Sequence, residues 1–272
     1  MAMDGITPDD HPLYLSLYVA ALVLGHVAGH SALHPSNPSG RLSGGEVAVN
    51  RHRYANKAVS GVHAAVLSVV SVRCYLTRGY DLGADRLLDL PPLEHLSVGF
   101  MIAYLLYDTA FLLWRYHSLQ PRLGVREAWS TSDHTLALAH HVLGLASWSL
   151  IHSGLGGIYW AQLVHLAELS TPLLNLRWIL MKEGRRAGPA YLALSAAFLG
   201  TFFWCRIPPT SLLLWAMWRG LDRWPSPTVG RFHLAVTFGF WCINLAWFGG
   251  GMRMALRALG GGGGKGRKGK AR

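Results

Sequence analysis

The chain has 272 residues, 51% of them hydrophobic and only 14% charged, with a formal net charge of +11. Soluble domains carry about 25% charged residues, so this composition excludes an ordinary water-soluble domain and points to the membrane. The basic residues stand between apolar segments, as in loops against lipid headgroups, which sets nucleic acid aside and makes membrane lipids the expected partner.

Residues Met1 to Pro12 carry Asp4, Asp9 and Asp10 and no Lys or Arg. A cleavable signal needs a basic start, so none is expected. Seven apolar segments follow, at about Leu13–Leu33, Asn56–Leu76, Leu93–Trp114, Leu136–Ile151, Ile158–Met181, a sixth from about Ala190, and Phe232–Leu256. A span needs about 20 mostly apolar residues. The fourth is marginal by that measure. Arg206, Pro208 and Pro209 predict that the sixth is kinked, broken or re-entrant, because proline removes backbone donors. The fold expected is all-α, a multi-pass transmembrane helical bundle of about seven spans.

Basic residues set the orientation. Eighteen fall on the side that would hold the C-terminus and five on the other, which predicts a cytosolic C-terminus. The tail from Gly260 is Gly, Lys and Arg, and is expected to be disordered. Lys268 and Lys270 resemble a dilysine retrieval signal of the endoplasmic reticulum, while a basic tail resting on anionic lipid fits equally well. Cys74, Cys205 and Cys242 are too few, and too apolar in context, for a disulfide framework or a zinc site.

Several groups sit where lipid should reject them. His140 and His141 lie in the fourth segment, and Gln162, His165, Glu168, Thr171 and Asn175 form a polar stripe on the fifth if it winds at about 100° per residue. An ionisable group at bilayer depth costs roughly 2.5–3.5 kcal/mol on insertion scales, so it needs a partner or a wet cavity. The partners at hand are His63, Asp108, Arg206 and Asn244. Two readings stay open: a buried network that fixes helix packing, or a functional site. The other helices would form a sleeve around segments four and five. His26, His30 and His34 share a helix face, but the second histidine pair that a di-iron oxygenase needs is missing, so no metal is expected. In the seventh segment Asn244 reads as an interhelical hydrogen bonder, Trp247 as an interfacial ring, and Gly249–Gly251 as a site of close backbone approach.

Taken together, Asn56-Lys57-Ala58-Val59-Ser60-Gly61-Val62-His63, Tyr107-Asp108, His140-His141, Glu168-Leu169-Ser170-Thr171-Pro172 with Asn175 and Arg177, Arg206-Ile207, and Asn244 with Trp247 resemble the TLC domain. This is the homology shared by TRAM proteins, ceramide synthases and the neuronal ceroid lipofuscinosis protein of the endoplasmic reticulum. The resemblance runs over about Arg51 to Leu256. It implies an N-terminal segment with the first helix (1–50), a TLC domain (51–256) and a basic tail (257–272). The closest likeness is to TLC-domain transmembrane proteins outside the ceramide synthases, whose histidine pair is followed by a helix with two aspartates. Here His140 and His141 match the pair and Glu168 stands for the first aspartate, but Thr171 occupies the second and Asn175 replaces a further acidic residue.

The resemblance supplies the histidine pair and one carboxylate, His140, His141 and Glu168, as a catalytic set; Asp108, out of place in an apolar segment, joins them as a second candidate carboxylate, with His63, His165, Asn175, Arg206 and Asn244 expected toward lipid or substrate. The resemblance implies a protein of the endoplasmic reticulum that acts on membrane lipid, including sphingolipid, composition. The alternatives are an acyl-CoA-dependent N-acyltransferase working through the histidine pair, and an interaction or trafficking factor. No cofactor is implied; acyl-CoA would enter as substrate, and a homo-oligomer is compatible with each reading. A cavity wide enough for an acyl chain, with the histidines at its wall, favours acyl transfer, and a packed network without a cavity favours the others.

Overall fold

The computed structural model describes residues 11–33, 43–79, 91–125, 131–186 and 188–260, and among these every regular element is helical. The acidic start, His34, Arg126 and the tail with its dilysine-like end lie outside the described residues. Helix α1 spans His11–Ala32, α2 Gly44–Arg78 and α3 Pro92–Trp114. A π-helical turn, Arg115–Leu119, and the short α4, Gln120–Arg122, extend α3. Helix α5 spans Thr131–His152, then come α6 (Ile158–His165), a 3-10 stretch (Leu166–Ser170) and α7 (Thr171–Lys182). Helix α8 is Pro189–Arg219, a 3-10 turn is Leu221–Arg223, and α9 is Pro227–Gly260.

Local sequence explains the boundaries. Ser43 and Glu46 start α2 with a reciprocal cap: Glu46 N donates to Ser43 Oγ at 3.2 Å and Ser43 N to Glu46 Oε2 at 2.8 Å. Helix α2 therefore begins well before Asn56, and Arg51 and Arg53 sit on it ahead of the predicted segment. Prolines occupy the first turns of α3, α7 and α8, where the missing N–H has no helical acceptor. The α5–α6 turn uses Gly154, Gly156 and Gly157 at φ of 79°, 98° and 90°, a region that side chains disfavour.

Among the described residues, five helical stretches are long and apolar enough to cross a membrane: Tyr14–Ala32, Gly44–Arg78, Pro92–Arg122, Pro189–Arg219 and Pro227–Leu256. Segments four and five of the seven predicted are not among them. The fourth carries its histidines, and the fifth is divided by the 3-10 stretch. The sixth departs from expectation in the other direction, since α8 runs unbroken through Pro208 and Pro209. Hydroxyls back-bond in the following turn, Thr210 Oγ1 to the Arg206 carbonyl at 2.5 Å and Ser211 Oγ to the Ile207 carbonyl at 2.8 Å. Such bonds and neighbouring helices let membrane helices carry proline.

Helix α1 rests on α2 and α3; α5 packs on α3 and α9; α8 packs on α9, α7 and the 3-10 stretch. Helix α2 covers the other side of α6, the 3-10 stretch and α7. A sleeve thus forms around α6, whose Tyr159, Trp160, Gln162 and His165 are buried. Helix α5 is part of the wall instead, with Val142 facing outward. Leu24, Leu76, Trp204 and Trp218 also point outward, at 67–82% exposure for these four. Such a belt of exposed large apolar side chains suits lipid, not water.

Candidate functional site

Between α5 and the 3-10 stretch lies a cavity of about 210 Å³. At roughly 10–15 Å³ for one water on this measure, it holds more than ten waters, or a polar group with part of a chain. Its floor and walls mix ionisable side chains with Met101, Leu105, Trp148, Val164, Leu174 and Phe240.

Seven of the nine residues singled out in the sequence line it: Asp108, His140, His141, Glu168, Asn175, Arg206 and Asn244. Helix α3 presents Asp108 to α5. There His141 Nε2 stands 3.4 Å from Asp108 Oδ2, and Asn56 Nδ2 donates to Asp108 Oδ1 at 2.9 Å. The Thr109 hydroxyl donates to the Leu105 carbonyl at 2.6 Å, and its oxygen lies 3.0 Å from His141 Nδ1. His141 thus meets an acceptor at each ring nitrogen, the setting of a ring held in place. His140 differs. Its Nδ1 has no hydrogen-bond partner among the described residues, and its ring lies against Phe240 and Trp247 at 4.9 and 5.3 Å.

Glu168 accepts from Thr171 Oγ1 at 2.8 Å and is an electrostatic neighbour of Arg206. Among the described residues no hydrogen bond or ion pair joins it to either histidine; the carboxylate that His141 meets is Asp108. Helices α5 and α6 follow one another through a short turn, but the cavity separates the histidines of α5 from Glu168 in the 3-10 stretch. Arg206 on α8 crosses the bundle, its Nε donating to Ser170 Oγ at 3.1 Å and its Nη1 to Asn244 Oδ1 at 3.3 Å, over the Phe202 ring. Asn244 is therefore an interhelical partner, as its position suggested. Asn175 Nδ2 donates to the Lys57 carbonyl at 3.2 Å.

His63 and His165 lie beneath the cavity rather than in its wall. His63 stacks on Tyr104, a wall residue, with ring centroids 3.8 Å apart, and His165 lies against Trp148. Trp247 is a cavity ring and not an interfacial one. Sequence reasoning left out Lys57, Tyr104, Thr210 and Thr237 as wall residues. Lys57 carried a signal, since it stands two turns before His63 on an apolar helix; Tyr104 and the threonines carried none. Among the described residues no group of three or more His, Cys, Asp or Glu is arranged to hold a metal ion, and the three cysteines are unpaired thiols.

An all-helical bundle with membrane-length apolar helices and a mixed polar cavity defines an integral membrane protein. The family model for the TLC domain matches residues 53–250, and the chain belongs to that family. It is similar to TLC domain-containing protein 4-B of Danio rerio, at 28% identity over 195 residues, which cover 70% of this chain and 65% of that protein. The chain thus spans a little under two thirds of that relative. No solved structure matches it.

Proposed function

We propose that this protein receives the polar end of a membrane lipid in its cavity and thereby acts on lipid composition, in the endoplasmic reticulum with its C-terminus in the cytosol. The observation that carries this is the wall itself: Asp108, Glu168, Arg206 and two histidines share one space with Trp148, Leu174 and Phe240. That mixture suits an amphiphile, since small-molecule sites pair apolar walls with a few placed polar groups. Membership of a lipid-associated family supports the reading. The location rests on the family likeness, and the orientation on the bias of basic residues.

The test is native mass spectrometry of the protein purified in mild detergent, with lipid extracts supplied. Ala167 is buried in the wall, so Ala167→Trp fills the space from a rigid element. Wild type should carry a defined lipid adduct that Ala167→Trp loses. An adduct retained by the filled variant would place the lipid elsewhere.

His140 favours acyl transfer as a second reading, because an imidazole with an unengaged nitrogen in the cavity wall can take a proton from an amine or hydroxyl attacking an acyl-CoA thioester. His141, anchored on Asp108, would position the neighbouring turn. Purified protein given labelled acyl-CoA and a lipid-acceptor panel should then release coenzyme A, and His140→Ala should abolish release with thermal stability kept. No turnover with any acceptor ends this second reading and leaves lipid capture standing.

A further inference from the structure

Below the cavity the bundle is not apolar. Helix α2 carries Lys57, Ser60, His63, Ser68, Ser71 and Arg78 along one side, and Lys57 to Arg78 covers about 30 Å at 1.5 Å per residue. That is the thickness of a bilayer's hydrocarbon core. The opposing segment carries a matching series in the reverse direction. Asn175 bonds to Lys57, His165 is an electrostatic neighbour of His63, and Gln162 Oε1 accepts from Ser71 Oγ at 3.4 Å. Helix α3 closes the third side. Its Ser97 Oγ accepts from Gln162 Nε2 at 3.2 Å and lies 3.5 Å from His165 Nδ1. At the far end Glu94, 2% exposed, stands 3.9 Å from Arg78 Nε.

A network that served only as glue would satisfy its own atoms, because a buried polar group without a partner is costly. This column does not. Both ring nitrogens of His63, Nε2 of His165 and Oγ of Ser68 are buried with no hydrogen-bond partner among the described residues. His63 and His165 are each 0% exposed. Buried polar atoms of this kind are ordinarily met by water. Chains of ionisable side chains inside membrane segments characteristically relay protons.

We propose that this column is a proton path between the cavity and the Glu94–Arg78 end of the bundle. A proton taken by the Glu94 carboxylate passes through water beside Ser71 and Ser97 to one nitrogen of His165, whose other nitrogen releases a proton onward. His63 repeats the step and delivers to cavity water beside Tyr104. Every transfer breaks one O–H or N–H bond and forms another. No electrons move, and each ring returns to its starting tautomer by turning about its Cβ–Cγ bond before the next proton arrives. The proposal stands apart from lipid capture: either can hold without the other.

The test uses the full chain reconstituted into liposomes with a pH-sensitive dye trapped inside, an imposed pH gradient, and valinomycin with potassium to clamp the potential. Wild type should dissipate the gradient at least several-fold faster than protein-free vesicles. His63→Phe keeps a ring against Tyr104 but cannot carry a proton, and should return the rate to the protein-free level. Should His63→Phe fail to give a monodisperse protein, Glu94→Gln replaces it with the same expected loss. Wild-type flux equal to that of empty vesicles overturns the proposal, and so does a folded variant that conducts like wild type.

Discussion

Asp108 is shared between two helices: Asn56 of α2 holds one carboxylate oxygen at 2.9 Å and His141 of α5 faces the other at 3.4 Å. One carboxylate on α3 therefore ties together the helix that leads to the basic end and the helix that bears the histidine pair. A hydrogen bond to a charged group contributes about 1.5–3 kcal/mol. Asp108→Ala should cost about 3–6 kcal/mol for the two contacts together and release His141 from its fixed orientation. Asp108→Asn keeps the shape and one acceptor, so it should lose less. Thermal unfolding in detergent ranks the two; equal losses would mean that shape and not charge matters here.

Arg206 gives a second prediction. Its planar fork reaches Ser170 and Asn244 at once, from α8 to the 3-10 stretch and to α9. A lysine has one ammonium and cannot span both partners in the same plane. Arg206→Lys should destabilise the protein by about 1.5–3 kcal/mol, the one charged-donor bond that a lysine cannot keep, despite keeping the charge. Chemical denaturation in detergent reads this directly. A loss under about 0.5 kcal/mol, the scale of an ordinary surface substitution, would show that the fork is not holding the helices.

The start of α2 supplies a third. A Cβ on Gly45 would lie 2.6 Å from the backbone oxygen of Leu123, whereas one on Gly44 meets nothing within 4 Å. Backbone cannot swing aside as a side-chain tip can. Gly45→Ala should therefore cost about 1–3 kcal/mol, the range for overpacking, while Gly44→Ala should be neutral or slightly stabilising. Paired thermal melts of the two variants test it, with Gly44→Ala as the control for helix propensity.

The membrane class and most of the helices were legible in the sequence because hydropathy acts residue by residue. Segment three, for example, coincides with α3 to within a residue at the start. The site was legible for a related reason: an ionisable group in an apolar run has few places to go, and Asp108, His140, His141, Glu168 and Arg206 converge. What could not be read was pairing. Which carboxylate meets His141 depends on how α3, α5 and the 3-10 stretch turn, and spacing along one helix carries no information about that. Pro208 and Pro209 misled because the rule that proline ends helices weakens where packed neighbours and hydroxyls surround the backbone. His63 and His165 were recognised as out of place in lipid, but their depth below the cavity follows from tertiary packing alone.

The five residues from Leu166 to Ser170 act as a gear in the middle of segment five. A 3-10 helix advances about 120° and 2.0 Å per residue against about 100° and 1.5 Å for an α-helix. Over five residues this adds about 100° of rotation and about 2.5 Å of length. In plain α-winding, Gln162, His165, Glu168, Thr171 and Asn175 would fan over about half the circumference. The tighter winding draws them toward a single line, since residues three apart eclipse in that geometry. One continuous segment can then serve the histidine column at its beginning and the cavity wall at its end without changing face. Substitutions that relax Leu166–Ser170 to ordinary winding would leave every one of those side chains present and yet turn Asn175 away from Lys57.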